Sequence, residues 1–201
     1  MGGVCLNIND INDPRQLLDW VKSKGYVTFE SKSWDLNIIG VRKADGAPDK
    51  FDDVICVVYK DDVGNLQMKK WTATTDPGLY WMLNPMNVSG TACMVPGQYR
   101  GAWQIGDHRG KPALVQVRAV KMYRDRNRDV IYDFDPSTIS EGLSGINLHR
   151  AGASSTRVDR WSAGCQVWAK ESEFEEFMEL CRKQVDVNGY RTFTYTLLLE
   201  E

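Results

Sequence analysis

One histidine and one cysteine are the residues of this sequence whose types and spacing could support nucleophilic catalysis. The chain has two histidines, His108 and His149, and His149 lies sixteen residues before Cys165. A cysteine attacks as a thiolate, so it needs a base or a positive environment, and an imidazole can be that base. The pair predicts acyl transfer through a thioester, provided that the imidazole reaches the sulfur in an open cleft. The alternative is a buried core thiol and an unrelated, hydrogen-bonded strand histidine.

The residues between the two allow the chain to fold back on itself. The segment 150–164 contains Gly152, Asp159 and several serines and threonines, which favour turns. Gly164 directly precedes Cys165 and permits tight backbone geometry. The backbone N–H groups of Gly164 and Cys165 could then face a developing oxyanion.

Composition restricts the classes of function. The chain has 201 residues, 42% of them hydrophobic and 26% charged, which suits one globular domain with a small appendage. We expect residues 1–30 to form an N-terminal helical segment packed on a catalytic domain that spans 31–201. A net charge of −2 argues against a nucleic-acid partner. No apolar run approaches the ~20 residues that membrane insertion needs. The sequence leaves the oligomeric state open.

The cysteines and the first residues bear on the cellular compartment. Five cysteines with wide spacing and no Cys-x-x-Cys predict free thiols rather than a disulfide framework or a zinc knuckle. The start MGGVCLNINDIND has no basic region and no long apolar region, so we expect no signal peptide and synthesis in the cytoplasm. No phosphate-binding glycine loop is present, and we expect no cofactor.

The periodicity of apolar residues predicts a mainly β (α+β) domain with one or two peripheral helices. Helical spacing covers 14–24 and 170–185. The segment 75–112 shows no clear periodicity, and long irregular segments of this kind often form binding walls or lids. Runs rich in β-branched and aromatic residues predict strands at 34–42, 53–59, 66–74, 113–123 and 190–199.

The order of histidine and cysteine resembles one family of cysteine enzymes. Papain-like and caspase-like enzymes have other spacings. The pattern resembles the signature of the L,D-transpeptidase catalytic domain (YkuD-like). That signature is a histidine, a gap of about this size and then Ser/Thr-His-Gly-Cys, and this chain has Ser-x-Gly-Cys at the matching place. TATTDPG (72–78), GTACMVPGQYRGAWQIG (90–106) and INLHRA (146–151) follow the order of the family's segments. The resemblance covers roughly residues 35 to 170.

The resemblance implies a YkuD-like mixed β-sandwich and a role for each matching residue. Cys165 would be the nucleophile and His149 the general base. The backbone carbonyl of Arg150 would orient the imidazole. The N–H groups of Gly164 and Cys165 would stabilise the oxyanion, and Ser162 matches the hydroxyl of the motif.

Two positions depart from the family pattern. Ala163 replaces the family's second histidine, and Val167 stands where an arginine is usual, which puts substrate recognition in question. Other arginines, Arg150 among them, could bind a substrate carboxylate because the guanidinium fork matches its geometry. The expected substrate-binding residues are Arg157, Arg160, Trp161 and His108.

Two features of the sequence resemble metal sites, and neither is favoured. Asp125, Asn127 and Asp129 resemble the start of a calcium loop, but Val130 and Pro136 stand where that loop needs glycine and glutamate. A charged hairpin turn is the preferred interpretation. With one histidine assigned to the cysteine, a single histidine remains for zinc, which is too few for a typical zinc peptidase site. We therefore expect no metal.

These features together suggest a cysteine enzyme that acts on peptidoglycan stem peptides. The acyl group would pass to an amine (L,D-transpeptidase) or to water (L,D-carboxypeptidase or endopeptidase). Without a signal peptide, a phage lysin or virion component that reaches the periplasm or cell wall is the expected setting. The alternative is a catalytically inactive module on the same fold that binds cell-wall peptide or a protein.

Overall fold

The computed structural model describes residues 6–44 and 46–200. The helices in this part of the chain are α1 (Pro14–Ser23), α2 (Leu79–Leu83) and α3 (Glu171–Asn188), with 3-10 turns at Ile8–Asp10 and Pro136–Thr138. The strands are β1 (Asn37–Arg42), β2 (Asp53–Lys60), β3 (Leu66–Thr74), β4 (Thr91–Met94), β5 (Gly97–His108), β6 (Lys111–Gln116), β7 (Val120–Asp125), β8 (Ser140–Gly142), β9 (Leu148–Arg150), β10 (Gln166–Trp168) and β11 (Thr192–Leu199).

The strands form one closed sheet and one small sheet. The closed sheet has the order β1-β11-β5-β6-β9-β10-β3-β2, and the small sheet has the order β4-β7-β8. The pairs β1–β11 and β9–β10 are parallel and the other pairs are antiparallel. The junction of β6 with β9 has the single register pair Leu114 and Leu148. The sheet is therefore least continuous next to β9, the strand that carries His149.

The core lies on both faces of the strands at the start of the chain. Along β2, Ile55 and Val57 face the interior of the closed sheet, while Cys56 and Val58 face α1. Successive side chains of a strand point to opposite faces, so a strand covered on both sides reads as a continuous apolar run. This explains why the period-2 signal is absent from VICVV although the segment is a strand.

The two long helices lie where the sequence predicts, and α3 extends three residues beyond the predicted 170–185. Asp13 caps α1 by accepting a hydrogen bond from the N–H of Arg15, and Pro14 occupies the first helical position. Gly189 ends α3 in the left-handed conformation, with φ of 71°. The apolar face of α1 packs on β1 and β2, so the N-terminal helix lies against the β domain.

The mainly β (α+β) prediction is confirmed; the closed sheet is mixed and the small sheet is antiparallel. Two local predictions are wrong. The predicted strand 113–123 is two strands in different sheets, because the chain leaves the closed sheet after β6 and enters the small sheet at β7. The segment 75–112 is not irregular throughout, since it contains α2, β4 and the long strand β5. Among the described residues, no helix is long and apolar enough to cross a bilayer.

Candidate active site

His149 and Cys165 lie on one face of two neighbouring strands. In the parallel pair β9–β10, His149 is in register with Val167, and Cys165 precedes Val167 by two positions. Because side chains alternate along a strand, positions 149, 165 and 167 point to the same side of the sheet. Leu148 and Trp168 point to the opposite side and belong to the core. The sixteen-residue spacing in the sequence thus connects two strands that are neighbours in the sheet.

A cleft of about 350 Å³ opens over this face. Cys165 and His149 both line it, and their exposed fractions are only 8% and 6%. Ala92 and Thr91 of the small sheet form part of the opposite wall. The cleft is therefore built between the two sheets, with the thiol near its floor.

The thiol of Cys165 is held in its neutral form. Its Sγ donates to the carbonyl of Gly145 and accepts from the N–H of Asn147, both at 3.4 Å. Burial raises the pKa of the thiol to about 11, which exceeds the lowering effects of the Asn147 N–H and of Arg109. Cys165 is consequently a thiol at rest, and it could act as a nucleophile only after losing its proton.

The imidazole of His149 is buried in one defined tautomer. Its Nδ1–H donates to the backbone carbonyl of Arg150 at 2.9 Å, the contact that the family resemblance implies for that carbonyl. The neutral ring therefore has its lone pair on Nε2, which is buried and has no hydrogen-bond partner. Burial, more than the neighbouring positive groups, lowers the pKa of His149 to about 4.

No hydrogen bond joins Nε2 of His149 to Sγ of Cys165, although both side chains line the same cleft. The sequence-based hypothesis required hydrogen-bonding reach, and the unliganded cleft supplies proximity without that bond. Catalytic hydrogen bonds are often long or poorly aligned in unliganded enzymes and tighten when substrate binds. The arrangement provides a protonated nucleophile beside an unused, buried base.

The loop before Cys165 is fixed by Ser162 and Gly164. The fully buried Ser162 hydroxyl donates to the carbonyl of Cys165 at 2.8 Å and accepts the N–H of Gly164 at 3.2 Å. Gly164 has φ of +120°, and a Cβ there would lie 2.6 Å from the carbonyl oxygen of Ala92. Only glycine fits this position. Because Ser162 engages the Gly164 N–H, that group is not a free oxyanion donor in this structure.

His108 stacks on His149 at the end of β5. The ring centroids are 4.4 Å apart with an interplanar angle of 20°, and His108 also lines the cleft. The side chain of Asn147 contacts Nδ1 of His108 at 3.0 Å, while its backbone N–H contacts Cys165. Asn147 was not predicted. Its one sequence signal is its position two residues before His149, on the same strand face.

The cleft is positively charged. Arg109, Arg124 and Arg160 line it, and its lining contains no aspartate or glutamate among the described residues. Arg160 lies over the ring of Tyr80, with its guanidinium carbon 3.9 Å from the centroid. The sequence analysis predicted Arg160 but missed the other two. Arg109 has a left-handed backbone, with φ of 54°, which no sequence pattern identifies.

Arg124 is the most enclosed of the three cationic side chains. It is 9% exposed, and it donates from Nε to the hydroxyl of Ser140 at 2.9 Å and from Nη2 to that of Ser144 at 3.1 Å. In the described chain it has no carboxylate partner, and burial lowers its pKa. A buried guanidinium whose partners are two hydroxyls and the sulfur of Met122 is well suited to receive an anionic group.

The other predicted binding residues differ in position. Trp161 is 45% exposed and lines the cleft. Arg157 lies outside the cleft lining and forms an ion pair with Asp49, Nε to Oδ2, at 2.7 Å. The guanidinium of Arg150 pairs with Glu171 at 2.8 Å and also lies outside this lining. Arg157 thus pairs with Asp49 and the Arg150 side chain with the first residue of α3, and neither side chain lines the cleft over the thiol.

The acidic loop after β7 satisfies its own backbone. The carboxylate of Asp129 accepts the N–H of Ile131 at 2.7 Å, and the side-chain oxygen of Asn127 accepts the N–H of Asp129 at 3.2 Å. These are the contacts of Asx turns. Within the described residues, no group of three or more histidines, cysteines or acidic side chains is arranged to hold a metal ion.

Comparisons of the chain with protein-family models, with curated proteins and with solved structures give no match. Any functional conclusion must therefore come from the cleft itself and from the resemblance of the motif around Cys165.

Proposed function

We propose that this protein is a cysteine-dependent acyltransferase or hydrolase of the L,D-transpeptidase type that acts on peptidoglycan stem peptides. The observation that carries the proposal is the buried, unpartnered Nε2 of His149 in the same cleft as the thiol of Cys165. A buried ring nitrogen without a partner is unfavourable for stability, and a role in accepting the thiol proton would account for it.

The reaction follows from the protonation states. The thiol proton of Cys165 passes to Nε2 of His149 as the sulfur attacks the carbonyl carbon of the peptide. The new S–C bond forms, the C–N bond breaks, and His149 returns the proton to the leaving amine. An amine or water then attacks the thioester, with His149 removing its proton, and the thiol is regenerated. The Arg150 carbonyl stabilises the imidazolium that forms transiently.

The charge of the cleft supports a substrate with free carboxylates. Stem peptides carry such groups, and a cleft with three arginines and no acidic lining residue attracts them. Arg124 lies at the wall with two serine hydroxyls and leaves its Nη1 without a protein partner in the described chain. It can take the part of the arginine that position 167 lacks. Trp161, which also lines the cleft, offers a half-exposed apolar surface.

The test is digestion of purified muropeptides, followed by mass spectrometry. The wild-type protein should release or exchange the residue after the L,D bond. Cys165→Ala and His149→Gln should abolish turnover while circular dichroism remains native, and Arg182→Met on the exposed face of α3 serves as the control. A carbapenem should acylate Cys165 in the wild type only.

Unchanged muropeptides with the wild-type protein would refute the enzyme. If the same peptides nevertheless bind in equilibrium dialysis, the inactive cell-wall-binding module becomes the correct description. The departures at Ala163 and Val167 motivate that comparison.

A further inference from the structure

The two stacked imidazoles are held in opposite tautomers. For His149, the Arg150 carbonyl can only accept, so Nδ1 carries the proton and Nε2 the lone pair. For His108, the identity of the ring nitrogen that carries the proton depends on the side-chain amide of Asn147, which contacts Nδ1 at 3.0 Å.

The orientation of that amide is fixed by a third residue. The backbone N–H of Gln116 donates to Oδ1 of Asn147 at 2.9 Å, so the oxygen of the amide faces Gln116 and the NH2 group faces His108. Nδ2 of Asn147 is a donor only, and Nδ1 of His108 must accept from it. The neutral His108 ring therefore carries its proton on Nε2. That N–H has no hydrogen-bond partner in the described part of the chain.

We propose that His108 is a further catalytic residue, which donates a hydrogen bond from Nε2–H to the acyl oxygen of the bound substrate. This inference rests on the proposed acyl transfer. The position suits the role, because His108 lines the cleft and Asn147 contacts both His108 and the sulfur of Cys165. The role of oxyanion donor is also left to another group, because the N–H of Gly164 already donates to Ser162.

The two imidazole rings therefore have different roles in the proposed reaction. His149 accepts the thiol proton, and His108 stabilises negative charge on the acyl oxygen, together with the N–H of Cys165. Burial lowers the pKa of both imidazoles, so each is neutral and each keeps its tautomer at neutral pH. A neutral imidazole that donates is a poorer acid than imidazolium, and it can stabilise an oxyanion without releasing its proton.

Nitrogen NMR tests the tautomers independently of activity. The chain has two histidines, so labelling with 15N-histidine and recording the His108→Gln variant assigns every ring signal. We expect His149 protonated at Nδ1 and His108 protonated at Nε2. In Asn147→Asp the carboxylate can only accept, and the proton of His108 should move to Nδ1. Protonation of His108 at Nδ1 in the wild type would overturn the proposal.

Muropeptide turnover tests the donor. The side-chain amide of glutamine can place an N–H near the position of Nε2, whereas asparagine is too short. His108→Asn should lower kcat about 100-fold with little change in KM, the effect typical of losing one oxyanion donor. His108→Gln should recover at least part of that loss. A kcat of His108→Asn within twofold of wild type refutes the donor and leaves the acyl transfer intact. Absence of wild-type turnover instead refutes the acyl transfer, and with it any acyl oxygen to receive the bond.

Discussion

The pH dependence of alkylation at Cys165 tests the central electrostatic claim about the cleft. Burial raises the pKa of this thiol from 9.0 to about 11. A shift of that size reduces the thiolate fraction about 100-fold at neutral pH, equivalent to roughly 3 kcal/mol. Iodoacetamide reacts with the thiolate. Its rate constant at Cys165 should therefore rise about tenfold per pH unit between pH 6 and about 10, with no plateau in that range.

Peptide mass spectrometry can follow this single site. Trypsin cleaves after Arg160 and Lys170, and the peptide 161–170 contains Cys165 as its one cysteine. The extent of its carboxamidomethylation over time gives the rate at each pH. Cys181, which is fully buried on α3, is the internal control, because its labelling would report unfolding.

A rate that levels off at or below pH 8 would refute the reasoning. Such a plateau would mean that a thiolate–imidazolium pair exists before substrate binds. His149→Gln distinguishes the cases further. If the thiol is neutral at rest, this variant keeps the same pH slope, whereas a preformed ion pair would disappear with the imidazole.

Three other results are expected. Arg124→Met should raise KM for carboxylate-bearing peptides about 10- to 100-fold, the range for a lost hydrogen bond to a charged group, while Arg182→Met should not. Gly164→Ala should lower the free energy of unfolding in urea by about 1–3 kcal/mol or more, because a left-handed φ and a close carbonyl coincide there; Gly64→Ala, with φ of +87° and open space, should show the smaller effect of φ alone. Since His149 has a folded pKa of about 4 against an ordinary 6.5, the unfolded chain binds this proton more readily, and the fold loses stability as pH falls from 6.5 toward 4. The wild type should thus lose stability relative to His149→Gln over that interval, and kcat/KM should fall as imidazolium forms.

The strands that can be predicted from the sequence are those whose pattern is set by burial alone. β1 and β2 are covered on both faces, so their apolar runs are unambiguous. β5 escaped prediction because it contains Gly101 and Gly106 and exposes much of its surface. Its conformation depends on ladders with β11, which is remote in sequence, and with β6, which follows it across a tight turn. Pairing overrides weak local propensity there.

Some residues of the candidate site could likewise be predicted from the sequence, and others could not. His149 and Cys165 could be paired from their spacing, because His149 lies on β9, Cys165 directly precedes β10, and these two strands are neighbours. Arg124 could not be connected with them, since its place at the cleft depends on the small sheet β4-β7-β8 standing against the closed sheet. The role of Asn147 depends on hydrogen bonds to Gln116 and His108, both more than thirty positions away.

On charge alone, a cleft rich in arginine would favour a permanent thiolate at Cys165, but burial favours the neutral thiol. Arg109 lowers the pKa of Cys165, but burial raises it further. When an anionic substrate enters, its carboxylate neutralises part of that positive charge, so a preformed thiolate would lose stabilisation at the moment when it is needed. A thiol that passes its proton to Nε2 of His149 does not depend on the arginines. Under the proposed mechanism the arginines then bind substrate, His149 moves the proton and His108 stabilises the acyl oxygen.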